Sequence, residues 1–136
     1  MKLLSNSMQT FETQITVSNQ HLDMLNHVNN VQYVQWVQDI AEQHWNARAT
    51  PEILDTFYWV MLSHHIRYKG EAILNDVITL KTFVTKAEGV KSTRVVEIYN
   101  QQTNKLLTTS ETEWCLMSKT THRPTRITPE IATLFS

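Results

Sequence analysis

The chain has 136 residues, a formal net charge of −1 and a single cysteine, Cys115. This length predicts one domain over residues 1–136 with one hydrophobic core. A nearly neutral chain has no strong field to attract nucleic acid or an anionic membrane, so we expect neither as a partner. One cysteine cannot form an intramolecular disulfide, and no stretch is apolar enough for a signal peptide or a membrane span. We therefore expect a cytoplasmic protein.

The first predicted element is a strand over residues 8–17, in which apolar and polar side chains alternate. A polar loop follows from His21, and a long helix is predicted from Asn30 to Arg48. Asn29 is a preferred N-cap residue, Gln32 stands where a capping box would bond back to it, and Pro51 ends the helix. The apolar stripe recurs at three- and four-residue steps: Val31, Val34, Val37, Ile40 or Ala41, and Trp45.

Four more strands are predicted after a connector at 51–56, over residues 57–69, 76–86, 91–100 and 106–118. A short helix is predicted to begin near Thr128. Alternation in the strand over 57–69 would place one set of side chains on a single face: Tyr58, Val60, Leu62, His64, Ile66 and Tyr68. The order of elements favours an α+β fold with one helix on an antiparallel sheet. Open sheet edges and leftover apolar residues favour a second copy of the chain as partner.

The loop ahead of the long helix carries the motif D-x-x-N-H-V-N-N-x-x-Y, from Asp23 to Tyr33. Together with the order of elements and the segments 64–76 and 123–131, it resembles the hotdog-fold thioesterases. The similarity is to the 4-hydroxybenzoyl-CoA thioesterase-like enzymes and to the acyl-ACP thioesterases, and it covers nearly the whole chain.

This resemblance implies a hotdog fold, in which a five-stranded antiparallel sheet wraps around one long helix. It also implies an active site at a dimer interface and assembly as a homodimer or homotetramer. The implied activity is hydrolysis of an acyl-CoA or acyl-ACP thioester. Coenzyme A is then part of the substrate, and no separate cofactor is expected.

The resemblance assigns roles to three positions. Asp23 matches the family carboxylate, His27 the histidine of the acyl-ACP branch, and Asn30 the residue whose backbone N–H polarises the thioester carbonyl. The acyl-ACP enzymes carry an asparagine where this chain has Leu25. This departure favours a carboxylate-centred mechanism, with the adjacent Asn26 as a candidate substrate ligand.

The chemistry of thioester hydrolysis fits these residue types. Asp23 can act as a general base or attack directly. The free N–H groups at Asn30 and Val31, together with the helix dipole, suit an oxyanion. The chain lacks a G-x-S-x-G elbow, and Cys115 lies in a predicted strand without a motif. The hypothesis requires the Asp23 carboxyl to face a cleft. A carboxyl far from any cleft, in bulk solvent or held by backbone hydrogen bonds, would remove the enzymatic interpretation and leave only the fold.

Four further residues are candidate substrate ligands. Tyr33 and His64 could line an acyl pocket, and Lys91 and Arg94 could bind the CoA phosphates. Each has a structural alternative. Tyr33 could be an aromatic core residue, His64 a hydrogen-bonded core histidine, and the two cations could be solvated surface residues. Asp23 could likewise serve only as a loop cap. No His-x-x-x-His or Cys-x-x-Cys spacing occurs, so no metal site is expected.

Two other functions stay open beside the thioesterase. One is a hotdog hydratase or dehydratase, although the histidine–proline-rich signature of that branch does not occur in the sequence. The other is a non-catalytic protein that binds acyl-CoA and keeps the fold.

Overall fold

The computed structural model describes residues 9–136 as one five-stranded antiparallel sheet crossed by a 19-residue helix. The strand order across the sheet is β1-β3-β4-β5-β2. The strands are β1 (Phe11–Thr16), β2 (Phe57–Tyr68), β3 (Val77–Glu88), β4 (Lys91–Asn100) and β5 (Leu106–Ser118). The helices are α1 (Asn30–Arg48), α2 (Pro51–Thr56) and α3 (Pro129–Thr133), with a 3₁₀ turn at Asn19–His21. The predicted fold class is confirmed. Residue 8, included in the first predicted strand, lies outside the described residues.

Helix α1 begins at the residue that the sequence predicts, because Asn29 caps it. The Asn29 Oδ1 accepts a hydrogen bond of 3.0 Å from the Val31 N–H. The predicted capping box with Gln32 does not form, since the Asn29 N–H donates instead to the His21 carbonyl at 2.9 Å. The helix is therefore attached to the preceding loop through its own cap. No helix among residues 9–136 has the length and apolar character to cross a lipid bilayer.

The buried face of α1 is rotated from the predicted stripe. Val31 is 72% exposed, so its assignment to the stripe is wrong. At 100° per residue, Val31 lies about 120° around the helix from the fully buried Val37, outside the arc that meets the sheet. The buried side chains of α1 are Tyr33, Trp36, Val37, Ile40, Ala41, His44 and Trp45.

Two apolar clusters fill the space between α1 and the sheet. The larger one joins the middle of the helix to β3 and β4, where Val37 and Ile40 share a core with Ile78, Leu80 and Val96. The smaller one surrounds the end of the helix, and its members come from α2, β5 and the C-terminal tail as well: Trp45, Ile53, Leu116, Ile131 and Phe135. The tail is thus part of the core rather than a loose extension.

Strand β2 contains a bulge at Leu62 that the sequence does not reveal. Its pairing with β5 moves from Met61↔Trp114 directly to Ser63↔Glu113, which leaves Leu62 without a partner. The prediction that one face runs unbroken from Tyr58 to Tyr68 is therefore wrong. Trp59 faces the helix before the bulge and contacts Trp45 edge to face, with ring centroids 5.6 Å apart. After the bulge the inward positions are His64, Ile66 and Tyr68.

The packing of α1 predicts a contrast between two truncations. Ile40→Ala removes a side chain that is 1% exposed, and we expect it to lower the free energy of unfolding by about 2–5 kcal/mol. Gln43→Ala, at an exposed position of the same helix, should change it by about 0.5 kcal/mol or less. Urea denaturation of both variants measures the difference. Similar losses in the two would contradict the observed orientation of the helix.

Candidate active site

The loop ahead of α1 is a small hairpin closed by an isolated bridge between Leu22 and Val28. The Asp23 N–H donates to the His27 carbonyl at 2.7 Å, and the Asn26 N–H donates to the Asp23 carbonyl at 3.1 Å. Asn26 has a φ of 65°, a left-handed conformation that asparagine tolerates better than most residues. The predicted substrate ligand Asn26 is therefore the residue that lets this turn close, and its exposed side chain stays a candidate ligand.

The Asp23 carboxyl is both a loop cap and an exposed acid. Its Oδ1 accepts hydrogen bonds from the Leu25 N–H at 2.8 Å and the His27 N–H at 3.1 Å. No hydrogen bond within residues 9–136 engages its Oδ2. The carboxyl borders only a shallow depression formed with Leu22, Met24, Leu25 and Asn29. One chain alone thus does not provide the cleft that we expected, although one carboxyl oxygen stays available.

The N-terminus of α1 offers one free amide rather than the two predicted. The Val31 N–H is occupied by the Asn29 side chain. The Asn30 N–H makes no hydrogen bond within the described part of the chain. It stands seven residues after Asp23, at the positive end of a 19-residue helix. An unpaired amide in this position suits a developing negative charge.

The candidate His27 donates its backbone N–H to the Asp23 carboxyl, while its imidazole lies beside Glu71. The His27 Nε2 is 3.5 Å from the Glu71 Oε2, and both side chains are substantially exposed. The backbone of His27 also forms an isolated bridge with Ile73, and the Val28 N–H donates to the Ala72 carbonyl at 3.0 Å. The segment at 71–73 therefore anchors the loop. Among residues 9–136, no three His, Cys, Asp or Glu side chains are placed to share a metal ion.

Tyr33 is a core residue that contacts the segment to which the loop is attached. It is 2% exposed, and its hydroxyl accepts a hydrogen bond of 3.1 Å from the Ala72 N–H. Burial raises the pKa of Tyr33, and the bond from Ala72 partly opposes that rise. Within one chain Tyr33 therefore holds the segment at 71–73 in position. This agrees with the structural alternative, in which Tyr33 is an aromatic core residue.

His64 faces the helix from β2, but it is not the hydrogen-bonded core histidine of the alternative interpretation. Its buried Nε2 has no hydrogen-bond partner among the described residues. Two hydroxyl groups on β5 share this condition, those of Thr108 and Ser110. Burial and the neighbouring His65 lower the pKa of His64. A neutral, unpaired imidazole therefore lies in the layer between helix and sheet.

The two predicted phosphate ligands lie far from Asp23 within one chain. Lys91 is exposed at the start of β4. Arg94 is only 5% exposed and its Nη1 lies 3.0 Å from the His44 Nδ1. His44 follows Asn30 by 14 residues on α1, which is about 21 Å along the helix axis. Arg94 is thus an interior residue, which does not fit its predicted place on a phosphate-binding surface.

A cavity of about 620 Å³ opens between the second half of α1 and the sheet. We call it the helix–sheet chamber, and its apolar walls are Trp45, Leu54, Phe57, Trp59, Trp114 and Phe135. Ser92 and Arg94 add polar groups from β4. These residues come from five elements and the tail, so no local motif could have indicated the chamber. Its volume is in the range of small-molecule binding sites.

His44 connects Arg94, in the chamber wall, to Gln9, the first residue that the structure describes. Arg94 can only donate, so the His44 Nδ1 accepts, and the His44 Nε2–H donates to the Gln9 Oε1 at 2.9 Å. The ring also stacks on Phe11 with centroids 5.0 Å apart. Burial and the nearby Arg94 and Arg48 lower the pKa of His44 to about 3. His44 is therefore neutral at physiological pH.

This lowered pKa predicts acid sensitivity. Below pH 6.5 the unfolded chain protonates His44, whereas the folded chain does so only near pH 3. The unfolded state then binds more protons, so the free energy of unfolding should fall by up to about 1.4 kcal/mol per pH unit across that window. His44→Gln keeps an acceptor for Arg94 but cannot titrate. Denaturation at several pH values should give a shallower pH dependence for this variant, and equal slopes would contradict the assignment.

A sheet wrapped around one long helix, with a carboxylate loop at the helix N-terminus, defines the class of hotdog thioesterases. The family model for the acyl-ACP thioesterase N-terminal domain matches residues 8–135. The chain belongs to this family.

Individual relatives agree with this family membership. The long-chain acyl-CoA thioesterase FadM of Escherichia coli (strain K12) is 30% identical over 86 residues, which cover 57% of this chain and 61% of that enzyme. The match thus spans about three fifths of the curated relative. A 1,4-dihydroxy-2-naphthoyl-CoA thioesterase from Synechocystis, Slr0204, has a TM-score of 0.80 at 16% identity, covering 93% of this chain and 95% of that one.

A third relative is the Staphylococcus aureus protein SAV2348, whose structure was solved in complex with CoA. Its TM-score is 0.81 at 19% identity, covering 93% of this chain and 82% of that one. At these identities the two structures establish the fold.

Proposed function

We propose that the protein hydrolyses acyl-CoA thioesters to a free acid and CoA. The observation that carries this proposal is that one short segment holds two groups without a hydrogen-bond partner among residues 9–136: the Asp23 Oδ2 and the Asn30 N–H. The carboxylate oxygen can accept a proton or attack the thioester carbon, and the backbone N–H can donate a hydrogen bond to an oxyanion. The family membership and the name of the E. coli relative support the same reaction.

In the proposed reaction Asp23 removes a proton from water while the water oxygen attacks the thioester carbonyl carbon. The carbonyl oxygen gains negative charge and accepts a hydrogen bond from the Asn30 N–H, supported by the helix dipole. The carbon–sulfur bond then breaks, the carbonyl re-forms, and the proton held by Asp23 passes to the departing thiolate. In the nucleophilic variant the Asp23 carboxylate attacks the carbonyl carbon and the carbon–sulfur bond breaks, which releases the CoA thiolate and leaves a mixed anhydride. Water then opens the anhydride to the free acid and the Asp23 carboxylate, and the proton released protonates the thiolate. The proposal assigns the His27 imidazole, which follows Asp23 by four residues, the role of orienting the water.

The acyl group is proposed to occupy the helix–sheet chamber, and CoA to be the carrier. The chamber has aromatic walls and a volume suited to a hydrocarbon chain. CoA follows from the name of the E. coli relative and from the CoA complex of SAV2348. An acyl carrier protein is the alternative carrier, suggested by the description of the family. Water is the second reactant, and the proposal includes no metal or separate cofactor.

A second copy of the chain is proposed to complete the site. Eight large apolar side chains are exposed along β2 and around the loop: Met24, Leu25, Val31, Val60, Leu62, Tyr68, Ile73 and Leu74. β2 is an edge strand with unpaired backbone groups. If two copies of β2 paired antiparallel around Leu62, the Tyr68 end of one would lie beside the Phe57 end of the other. Phe57 lines the chamber, so the partner's chamber would open near Asp23.

This homodimer would cover the exposed Asp23 depression and bring the partner's chamber closer to the loop than the interior of the same chain around Arg94. A tetramer of two such dimers and a cytoplasmic location complete the proposal. The specific alternative is a non-catalytic acyl-CoA binding protein. It is favoured by one observation, the use of the Asp23 Oδ1 as a cap for two backbone amides.

Asp23→Asn separates these two functions. The asparagine carbonyl can still accept from Leu25 and His27, so the loop and the fold should persist. The side chain can no longer take a proton or attack, so kcat should fall by about 10²–10⁴-fold. Release of CoA from a panel of acyl-CoAs, followed with a thiol reagent, measures the loss. Full activity in a correctly folded variant would remove Asp23 from the mechanism, and no activity in the unmodified protein would favour the binding protein.

The dimer is tested by placing a charge on the proposed interface. Leu62→Arg should convert the protein to monomers and reduce kcat/KM at least about tenfold, because the charge would be buried without a partner. Gln14→Arg adds the same charge to β1, the opposite edge of the sheet, and should leave the assembly intact. Sedimentation velocity reports the mass of each variant. A Leu62→Arg protein that keeps the mass and activity of the parent would contradict this interface.

A further inference from the structure

The helix–sheet chamber contains a buried cation that thioester hydrolysis does not use. Arg94 lines the chamber from β4 and is 5% exposed. Its Nη1 donates to the Thr82 Oγ1 at 2.9 Å and to the His44 Nδ1 at 3.0 Å. Both partners are neutral. No carboxylate within residues 9–136 forms a salt bridge with this guanidinium.

The remaining nitrogens of the guanidinium have no protein partner. Neither Nε nor Nη2 of Arg94 makes a hydrogen bond to a described residue. The group packs over the Phe135 ring, with Cζ 5.1 Å from the ring centroid. If Arg94 only held His44 and Phe135 in place, it would use its Nη1 and the face of its guanidinium and nothing more. That role leaves three N–H donors without a partner among residues 9–136, on nitrogens that are not fully enclosed by protein in a side chain that lines the chamber. A charge in so enclosed a position is normally paired.

Three other charged side chains line the chamber. Asp39 and Glu42 project from the helix, and Glu42 is exposed. Lys119 is exposed, and its Nζ donates to the Leu54 carbonyl at 2.7 Å. Water screens such groups, so they compensate Arg94 weakly. Burial lowers the pKa of Arg94 to about 10, which still leaves it protonated at physiological pH.

An unpaired, protonated guanidinium inside an aromatic cavity is best matched by a carboxylate. Arginine binds carboxylates through two parallel N–H···O bonds, and these bonds are strongest where water is excluded. A plain hydrocarbon chain in the chamber would instead leave the three donors without water or partner. The chamber therefore discriminates by what the far end of the acyl group carries.

We propose that the chamber selects acyl groups that bear a carboxylate at their distal end, and that Arg94 is the specificity-determining residue. The inference rests on the proposed function, since it assigns the substrate class of the same site. The carboxylate of such a ω-carboxyacyl thioester would accept from Nε and Nη2 of Arg94, and its methylene chain would pack between Trp59 and Trp114.

The kinetic test compares substrates that differ only at the distal carbon: dodecanoyl-CoA, its ω-hydroxy analogue and its ω-carboxy analogue. The unmodified enzyme should show a kcat/KM about 10- to 100-fold higher for the ω-carboxy substrate than for dodecanoyl-CoA. Arg94→Met should abolish this preference, mainly through KM for the carboxylate substrate. Ser92→Ala removes another polar group of the chamber without changing charge, and it should keep the ratio. A ratio of one or below in the unmodified enzyme, or a preference that survives Arg94→Met, would overturn the proposal.

A binding test separates this proposal from the proposed function. Calorimetric titration with free dodecanedioate and dodecanoate requires no hydrolysis, and the diacid should bind at least about tenfold more tightly to the unmodified protein. Tighter diacid binding without thioesterase activity would contradict only the proposed reaction. Equal binding of the two acids in an active enzyme would contradict only the role of Arg94. If Arg94→Met does not fold, Arg94→Gln provides the same comparison with the charge removed and donors retained.

Discussion

The candidate site depends on the attachment of the loop at 22–29 to the segment at 71–73. Two hydrogen bonds converge on Ala72: its carbonyl accepts from the Val28 N–H, and its N–H donates to the Tyr33 hydroxyl. Ala72 is itself fully buried. The loop, the first turn of α1 and the connection from β2 to β3 are therefore fixed as one unit. Asp23 and the Asn30 amide keep their relation because neither end of the loop can move independently of the core.

Much of the architecture could be predicted because strong local signals specify it. The bounds of α1 follow from Asn29 at its start and Pro51 beyond its end, and α3 begins after its predicted cap, Thr128. The predicted strands agree with the structure to within two residues at every end except the start of β1, which lies three residues after the predicted one. These signals are local because caps, prolines and alternation act on the backbone nearby. They do not report how an element is rotated against its neighbours.

The errors arise where tertiary packing decides. Val31 continues a three-residue spacing, yet the sheet meets a different arc of the helix. The bulge at Leu62 has no sequence marker, since neither glycine nor a polar residue stands there. The candidate site residues Asp23, His27 and Asn30 are predicted from a motif, whereas the chamber and the interior position of Arg94 have no local sequence signal. The chamber and the burial of Arg94 both depend on residues far apart in the chain. Without that information, a cation in a predicted strand is expected at the surface.

The bulge in β2 has a consequence for how the length of this strand can vary. Trp59 and His64 both face the helix although their numbers differ in parity, and only the extra residue makes this possible. In a regular strand with the same five-residue step, one of these rings would turn outward, whereas removal of one residue between them would restore strict alternation with both rings facing the helix. Surface turns such as the one at 101–104 can lengthen or shorten with little effect on the core. In the span from Trp59 to His64, by contrast, any change in residue count must be matched by the loss or retention of the bulge if both rings are to stay on the helix side.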